Sequence, residues 1–356
     1  MTPILKNPKE TCLILTYRCN AKCNMCNVWH HPTKSSDEIT LKDINKLPSN
    51  LRFINITGGE PFIRKDIVEI IEAVRNKTER IVISTNGFFT EKIIDLCSRY
   101  PDTGIRISIE GLQKNNDAIR GIPDGFDRGL RTLLTLRKMG IKDIGFGMTV
   151  QDMNCKDLIP LYELSNALGY EFATATLHNS HYFHKLDNRI ENKDMVCNEF
   201  SKLILELLKS NSIKKWFRAY LNYGLMNYIY EGERLLKCEM GTEACFIDPY
   251  GDVLACNGME TKISMGNIRE QTFEDIWNSE KADEVRRAVK TCNKQCWMVG
   301  NVAPVMKKHI LIPAKWVLKN KMCVLFGKEP ELYFPAKSEK KGLIDNFPNT
   351  LERHGK

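Results

Sequence analysis

The sequence predicts an α/β protein, a parallel sheet of six strand–helix units followed by a smaller cysteine-rich part. Three observations predict it. Short apolar runs alternate with amphipathic stretches from residue 12 to about 177. The runs suit strands buried on both faces, and strands that alternate with helices in this order imply right-handed crossovers and a parallel sheet. A second group of cysteines begins only at Cys238, beyond that alternation.

The strands are read at residues 12–16, 53–57, 81–84, 105–109, 144–150 and 172–177, where β-branched and other apolar side chains cluster. Helical patterns lie between them at 41–47, 67–75, 91–100, 129–139 and 158–168. Residues 200–230 read as helical, with Leu203, Leu207 and Leu208 on one face. A Pro249-Tyr250-Gly251-Asp252 turn reads as a hairpin between short strands. Past Pro313 a helix is expected over 314–326, with Ala314, Leu318, Met322 and Leu325 on one face and Lys315 and Lys319 beside it. The implied divisions are a lead-in over 1–10, a barrel core with trailing helices over 11–230, an auxiliary part over 231–300, and a basic helix and tail over 301–356.

Composition narrows the function classes. No run of about twenty apolar residues occurs, and the N-terminus lacks a secretory h-region, so neither a membrane span nor export is expected. Thirteen cysteines without an export signal argue for a cytoplasmic setting and metal ligation rather than disulfides. Cys12, Cys97, Cys155 and Cys197 sit in apolar or helical settings and read as core thiols. The net charge is +8, and residues 301–356 carry eleven Lys/Arg against five Asp/Glu, a net of +6. This basic tail suits either a helix lying on an anionic inner membrane face or a phosphate-bearing substrate; a terminal helix packed on the barrel is the plainer alternative. No aromatic–basic interleaving speaks for nucleic acid.

The chemistry is concentrated in Thr16-Tyr17-Arg18-Cys19-Asn20-Ala21-Lys22-Cys23-Asn24-Met25-Cys26. Three thiols on one short loop can wrap one corner of a cubane iron–sulfur cluster and leave its fourth iron without a protein ligand. Structural zinc and purely electron-transferring clusters want a fourth donor. Gly58-Gly59-Glu60-Pro61 ends the next apolar run; its glycines let backbone approach a ligand, and Glu60 can accept from an ammonium.

This spacing resembles the radical S-adenosylmethionine (SAM) superfamily. The resemblance implies a partial (β/α)6 barrel with its chemistry at the C-terminal strand ends. It implies a [4Fe–4S] cluster on Cys19, Cys23 and Cys26 whose open iron binds SAM. Reductive cleavage of SAM then gives a 5′-deoxyadenosyl radical that abstracts hydrogen from substrate. Gly58, Gly59, Glu60 and Pro61 resemble the segment that holds the SAM amino group. Ser84 and Asn86 after the third strand, and Ser108 and Glu110 after the fourth, resemble segments that touch SAM. Arg120 resembles an arginine that pairs with the SAM carboxylate. One position departs from the pattern: Met25 stands where an aromatic usually meets the adenine, and its thioether can pack on a flat ring, with Trp29 as a second candidate. His178, His181 and His184 follow the sixth strand and read as a substrate-lining loop or a solvated turn.

Cys238, Cys256, Cys292 and Cys296, with the hairpin between them, resemble the C-terminal auxiliary-cluster region called SPASM or its shortened twitch form. The hairpin is expected to bring Cys238 and Cys256 together, and Cys292 and Cys296 to close the site from one helical turn. That implies one auxiliary [4Fe–4S] cluster; four thiolates also suit structural zinc, and Cys245 and Cys323 are spare candidates. The implied partners are a small-molecule or peptide substrate and an external electron donor such as flavodoxin or ferredoxin. Many SPASM-type relatives modify peptides, several through an N-terminal leader-binding domain. Here the first strand begins by about Cys12, which weakens the peptide reading without excluding it, and the basic tail favours an anionic small molecule such as a nucleotide- or lipid-linked sugar. A non-catalytic iron–sulfur or zinc protein is the alternative from another class, and it predicts no SAM cleavage.

Overall fold

The computed structural model describes residues 7–332, so the first residues of the lead-in and the polar stretch from residue 337 lie outside the described residues. In chain order the strands are β1 (Glu10–Ile14), β2 (Phe53–Thr57), β3 (Ile81–Thr85), β4 (Gly104–Ser108), β5 (Ile144–Val150), β6 (Glu171–Thr176), β7 (Ala244–Ile247), β8 (Asp252–Leu254) and β9 (Ser264–Asn267). The helices are α1 (Leu41–Ile44), α2 (Ile67–Arg75), α3 (Thr90–Arg99), α4 (Gln113–Arg120), α5 (Gly125–Lys138), α6 (Leu158–Ala167), α7 (Lys193–Lys209), α8 (Ile213–Ile229), α9 (Phe273–Trp277), α10 (Glu280–Thr291), α11 (Val299–Lys308) and α12 (Leu311–Leu325).

All nine strands form one sheet in the order β6-β5-β4-β3-β2-β1-β7-β8-β9. β1 to β6 are parallel, and the expected alternation of strands and helices holds. The barrel stays partial for a simple reason. The free edge of β1 pairs in parallel with β7, from Glu10↔Ala244 to Leu13↔Ile247, and so is not available to β6. β7, β8 and β9 then continue antiparallel, so the cysteine-rich part extends the barrel sheet.

The expectation of strands buried on both faces needs correction. Burial alternates along β2 and β6. Ile54, Ile56, Ile83, Ile105, Ile107 and Phe146 form the fully buried layer. Their neighbours Asn55, Ser84, Arg106, Ser108, Gly147 and Ala173 line a cavity instead. Small and polar side chains on that face keep the lumen from filling.

Two helical readings also change, and one helix is added. α4 lies where no element is read from the sequence; its sequence is polar, and only Asn116, Ile119 and Arg120 are buried before Gly121 ends it in the left-handed conformation at φ 58°. The stretch 200–230 is two helices, since the chain breaks at Ser210-Asn211-Ser212. The Ser210 carbonyl accepts there from Trp216 Nε1 at 2.6 Å and Lys321 Nζ at 2.8 Å. Cys292 caps α10 and Cys296 follows on non-helical chain, so the two do not share a helical turn.

Candidate active site

The cysteine loop leaves β1 at Ile14 and is fastened on three sides. Gly59 N donates to the Thr16 carbonyl at 2.7 Å and Glu60 N to the Arg18 carbonyl at 2.9 Å. Lys22 N and Asn24 N reach the carbonyls of Arg120 and Ile119 at 3.0 and 2.9 Å, the end of α4. Asn27 N donates to the Phe183 carbonyl at 2.8 Å and Asn188 Nδ2 to the Met25 carbonyl at 3.0 Å. Glycine is required at the first contact, because a Cβ on Gly59 would lie 2.3 Å from the Arg18 carbonyl oxygen. Beneath the loop, buried Glu38 accepts from Thr16, Thr33, Arg18 and Arg64, which ties the loop's first residues to the barrel.

Cys19, Cys23 and Cys26 all line a cavity of about 1230 Å³ within the barrel. Burial pushes the Cys19 thiol up to about 11 and the Cys26 thiol to about 12. It raises Cys23 as well, against the pull of Arg120. Such thiols ionise only when a cation or metal centre stabilises them. Arg120 is such a cation. It is 8% exposed, and although burial disfavours its charge, Cys23, Glu110, Cys19 and Glu60 together hold it protonated. Its Nη1 donates to Glu110 Oε1 at 3.0 Å, while its buried Nε has no partner among the described residues. Glu110 is held in turn by Thr149 N at 2.6 Å.

Met25, Trp29, Gly58, Gly59, Ser84, Asn86, Ser108, Glu110 and Arg120 line the same cavity as the three thiols. Trp29 Nε1 and Asn20 Nδ2 are further buried donors with no partner among the described residues. Glu60 and Pro61 stand behind that wall. Glu60 is fully buried, and burial raises its carboxyl above the ordinary range. Its two oxygens accept from Phe62 N at 3.0 Å, Thr85 Oγ1 at 2.8 Å and Asn86 N at 2.8 Å. Those bonds fix the end of β3 against the glycine step, and Pro61 starts the one-turn helix that follows. Tyr182, which carries no local sequence signal, donates to the Gly58 carbonyl at 2.6 Å across 124 positions.

His178 lines the cavity, and burial lowers its pKa. His184 stacks on His31 at 4.4 Å, and burial first and then His31 push it down to about 4. Cys12, expected in the core, faces the lumen with Asn55 Nδ2 at 3.7 Å. At the lower end of the lumen lie Arg52, Arg80, Arg106, Arg218 and Lys307, each paired with an acid: Arg52 and Lys307 with Glu10, Arg80 and Arg106 with Asp143, and Arg218 with Glu171.

Cys238, Cys256, Cys292 and Cys296 form the second group. Burial raises Cys256 to about 12, and the other three thiols add to it. Cys256 Sγ accepts from Gly258 N at 3.2 Å, and Arg234 Nη1 lies 3.9 Å from Cys296 Sγ. The spare candidates sit elsewhere. Cys245 packs on β7 against Thr11 Oγ1 at 3.6 Å, and Cys323 lies on α12, 4.0 Å from Glu331. Among the described residues no three His, Cys, Asp or Glu side chains are arranged to grip a single metal ion. A cubane spreads its thiolates over separate irons, so it asks for a wider arrangement. The first donor set fits such a cluster with an amino-acid ligand: thiols that need a positive centre, an open lumen beside them, and buried donors left unpaired.

Comparison with known proteins agrees. The model of the Radical SAM superfamily matches residues 13–164, and that of an iron–sulfur cluster-binding domain, SPASM, matches residues 238–298. The chain is 25% identical over 331 residues to Fe-coproporphyrin III synthase of Methanosarcina barkeri, covering 83% of this chain and 77% of that one. It is 24% identical over 287 residues to the antilisterial bacteriocin subtilosin biosynthesis protein AlbA of Bacillus subtilis, covering 76% and 60%. Streptococcus suis SuiB bound to the precursor peptide SuiA shares the fold at TM-score 0.60 and 18% identity, over 80% of this chain and 67% of that one.

Proposed function

Because the chain belongs to the radical SAM superfamily and carries a SPASM domain, we propose that it takes hydrogen from an anionic small molecule held in the barrel lumen, such as a nucleotide- or lipid-linked sugar. It is an enzyme of that superfamily, with iron–sulfur clusters and SAM as its cofactors. We assign Cys19, Cys23 and Cys26 to the catalytic [4Fe–4S] cluster, which with SAM on its open iron supplies a 5′-deoxyadenosyl radical. The observation that carries the site assignment is Arg120, a buried cation that the three thiols' cavity shares, with its Nε unpaired among the described residues. In this reading the guanidinium receives a carboxylate, while Nη1 donates to Glu110.

Met25 and Trp29 pack on the adenine. Gly58 and Gly59 let the backbone close on the methionine end, and Ser84, Asn86 and Ser108 bond its polar groups and the ribose hydroxyls. Glu60 and Pro61 are positioning residues: three hydrogen bonds to Glu60 hold the wall that the ligand meets. Cys238, Cys256, Cys292 and Cys296 hold one auxiliary [4Fe–4S] cluster that passes an electron or shapes the substrate site. The reducing electron comes from an external donor such as flavodoxin or ferredoxin. Among the described residues no helix is long and apolar enough to cross a membrane. We place the enzyme in the cytoplasm, with its basic C-terminal helix at the inner membrane face.

The basic tail supports the anionic substrate, with a net charge of +6 over residues 301–356. The relatives support a second reading, since AlbA is named for bacteriocin biosynthesis and SuiB was solved with a precursor peptide. Anaerobic incubation of the reconstituted protein with SAM and dithionite tests the chemistry by release of 5′-deoxyadenosine. Candidate nucleotide sugars and peptides, supplied in parallel, test the substrate class. A modified peptide with every sugar untouched would replace the first reading with the second. A colourless protein that binds only zinc and releases no 5′-deoxyadenosine would remove both.

A further inference from the structure

α12 packs on the barrel through one side only. Trp316 stacks on Tyr223 of α8 with ring centroids 4.8 Å apart, Val317 and Asn320 are buried, and Lys321 Nζ donates to the Leu208 carbonyl near the end of α7 at 2.6 Å. Its other side is apolar and faces outward. Leu311, Leu318, Leu325 and Phe326 are 80%, 64%, 66% and 73% exposed, and Ile310, Ile312 and Met322 extend the same patch. Among the described large apolar residues outside this patch, Ile213 is the most exposed, at 64%. It is the first residue of α8, beside the α7 carbonyls that Lys321 caps. A helix that faces only water does not concentrate its largest apolar side chains outward.

Residues 301–332 carry Lys307, Lys308, Lys315, Lys319, Lys321 and Lys328 against Glu329 and Glu331 as the only acids, six charges less two, a net of +4. Several are already engaged: Lys307 reaches Glu10 at 2.7 Å, Lys308 reaches Glu243 at 3.0 Å, Lys319 reaches Glu331 at 2.5 Å, and Lys321 caps the α7 carbonyls. Lys315 is exposed in sequence between Leu311 and Leu318.

We infer that this face is a docking surface for an anionic lipid bilayer, with α12 lying in the headgroup plane. The apolar side chains enter the acyl boundary, and the lysines extend along it to meet phosphate. A helix of 15 residues is too short to span, so it lies on the surface. Charge selects lipid over a second copy of the chain, because a two-fold contact here would set the same lysines against one another.

This deepens the membrane contact proposed above, and it requires no cluster and no SAM. The test is flotation of the full chain with phosphatidylcholine vesicles, with and without roughly 30% phosphatidylglycerol, at low and high salt. The expected result is association with the anionic vesicles that salt weakens. Leu318→Ser/Leu325→Ser/Phe326→Ser should reduce it by about tenfold or more, and Lys315→Glu/Lys319→Glu should reduce it at low salt, both with unchanged release of 5′-deoxyadenosine. Failure to float with anionic vesicles would overturn the inference, as would equal flotation of the triple-serine variant. A dimer in light scattering that the serine changes dissolve, without vesicle association, would assign the face to a second copy. Flotation intact with no 5′-deoxyadenosine formed would sink the radical reading and leave the docking face standing.

Discussion

The two cysteine groups are built from the same side chain, and the proposed function uses them in opposite ways. Cys19, Cys23 and Cys26 sit on one loop after β1 and all face the large lumen. Cys238, Cys256 and the Cys292–Cys296 pair come from three separate stretches, and only Cys296 of the four thiols reaches that lumen. The first group stops one donor short and has Arg120 beside it; the second has a full set, with Gly258 N and Arg234 supplying donors to its sulfurs. A cluster completed by protein is suited to carrying electrons or holding shape, and one left incomplete at a cavity wall is suited to binding a small molecule. Neighbours, rather than thiol count alone, separate a site that reacts from a site that supports.

The largest expected effect breaks the first group alone. Cys23→Ala should abolish release of 5′-deoxyadenosine while the auxiliary iron and its absorbance remain. Retained cleavage would show the first site misassigned. The mirror experiment is Cys256→Ala, for which iron analysis should lose the auxiliary share and uncoupled SAM cleavage should persist within about tenfold. If both iron contents vanish together, the two groups are not independent.

Arg120→Gln sharpens the comparison further. It leaves Glu110 buried without its ion partner, which should cost about 3 kcal/mol in chemical denaturation. It should also raise the SAM concentration needed for half-maximal cleavage by about tenfold or more, because a charge-assisted bond to the carboxylate is lost. A normal SAM dependence in a correctly folded variant would remove Arg120 from the binding site.

The smallest effect lies far from both groups. Asp143 is held down at about 2, although burial acts to raise it, because Arg80 and Arg106 donate to it and attract its charge. A depressed folded pKa means that this stabilisation is present above the ordinary Asp value and is lost as pH falls from about 4 through about 2. Asp143→Asn should therefore flatten the fall in melting temperature across that window and leave iron content at both groups unchanged. Since Asp143 is about a quarter exposed, solvent screening keeps the gain small.

Much of this was legible in order along the chain. The strands at 53–57 and 144–150 and the helix at 67–75 appear with the expected bounds, because strong apolar periodicity leaves little alternative. α4 escaped because its eight residues hold only two apolar side chains, Ala118 and Ile119, too few for a helical period, and Asn115, Asn116 and Asp117 favour caps and turns; Asn116, Ile119 and Arg120 are the residues it buries. The break between α7 and α8 escaped because Ser-Asn-Ser is a weak stop signal; the carbonyls it exposes are capped by Trp216 and Lys321 from elsewhere. Cys12 reads as a core thiol because a strand run does not reveal which of its faces borders a lumen. Glu60 reads as a ligand contact, yet its hydrogen bonds run to β3 and to the turn that follows it.

What the sequence determined by itself is the chemistry: three thiols at short spacing, a glycine step, and the alternation of strand and helix that sets both at one end of a sheet. Those are local facts, carried by spacing and by side-chain type. What only the tertiary structure decided is which groups stay unsatisfied. The unpaired Nε of Arg120, the small and polar lining of the lumen beside the thiols and the outward apolar face of α12 each depend on how elements distant in the chain pack together. Spacing says what a group can bind, and packing alone says whether it is still free to do so.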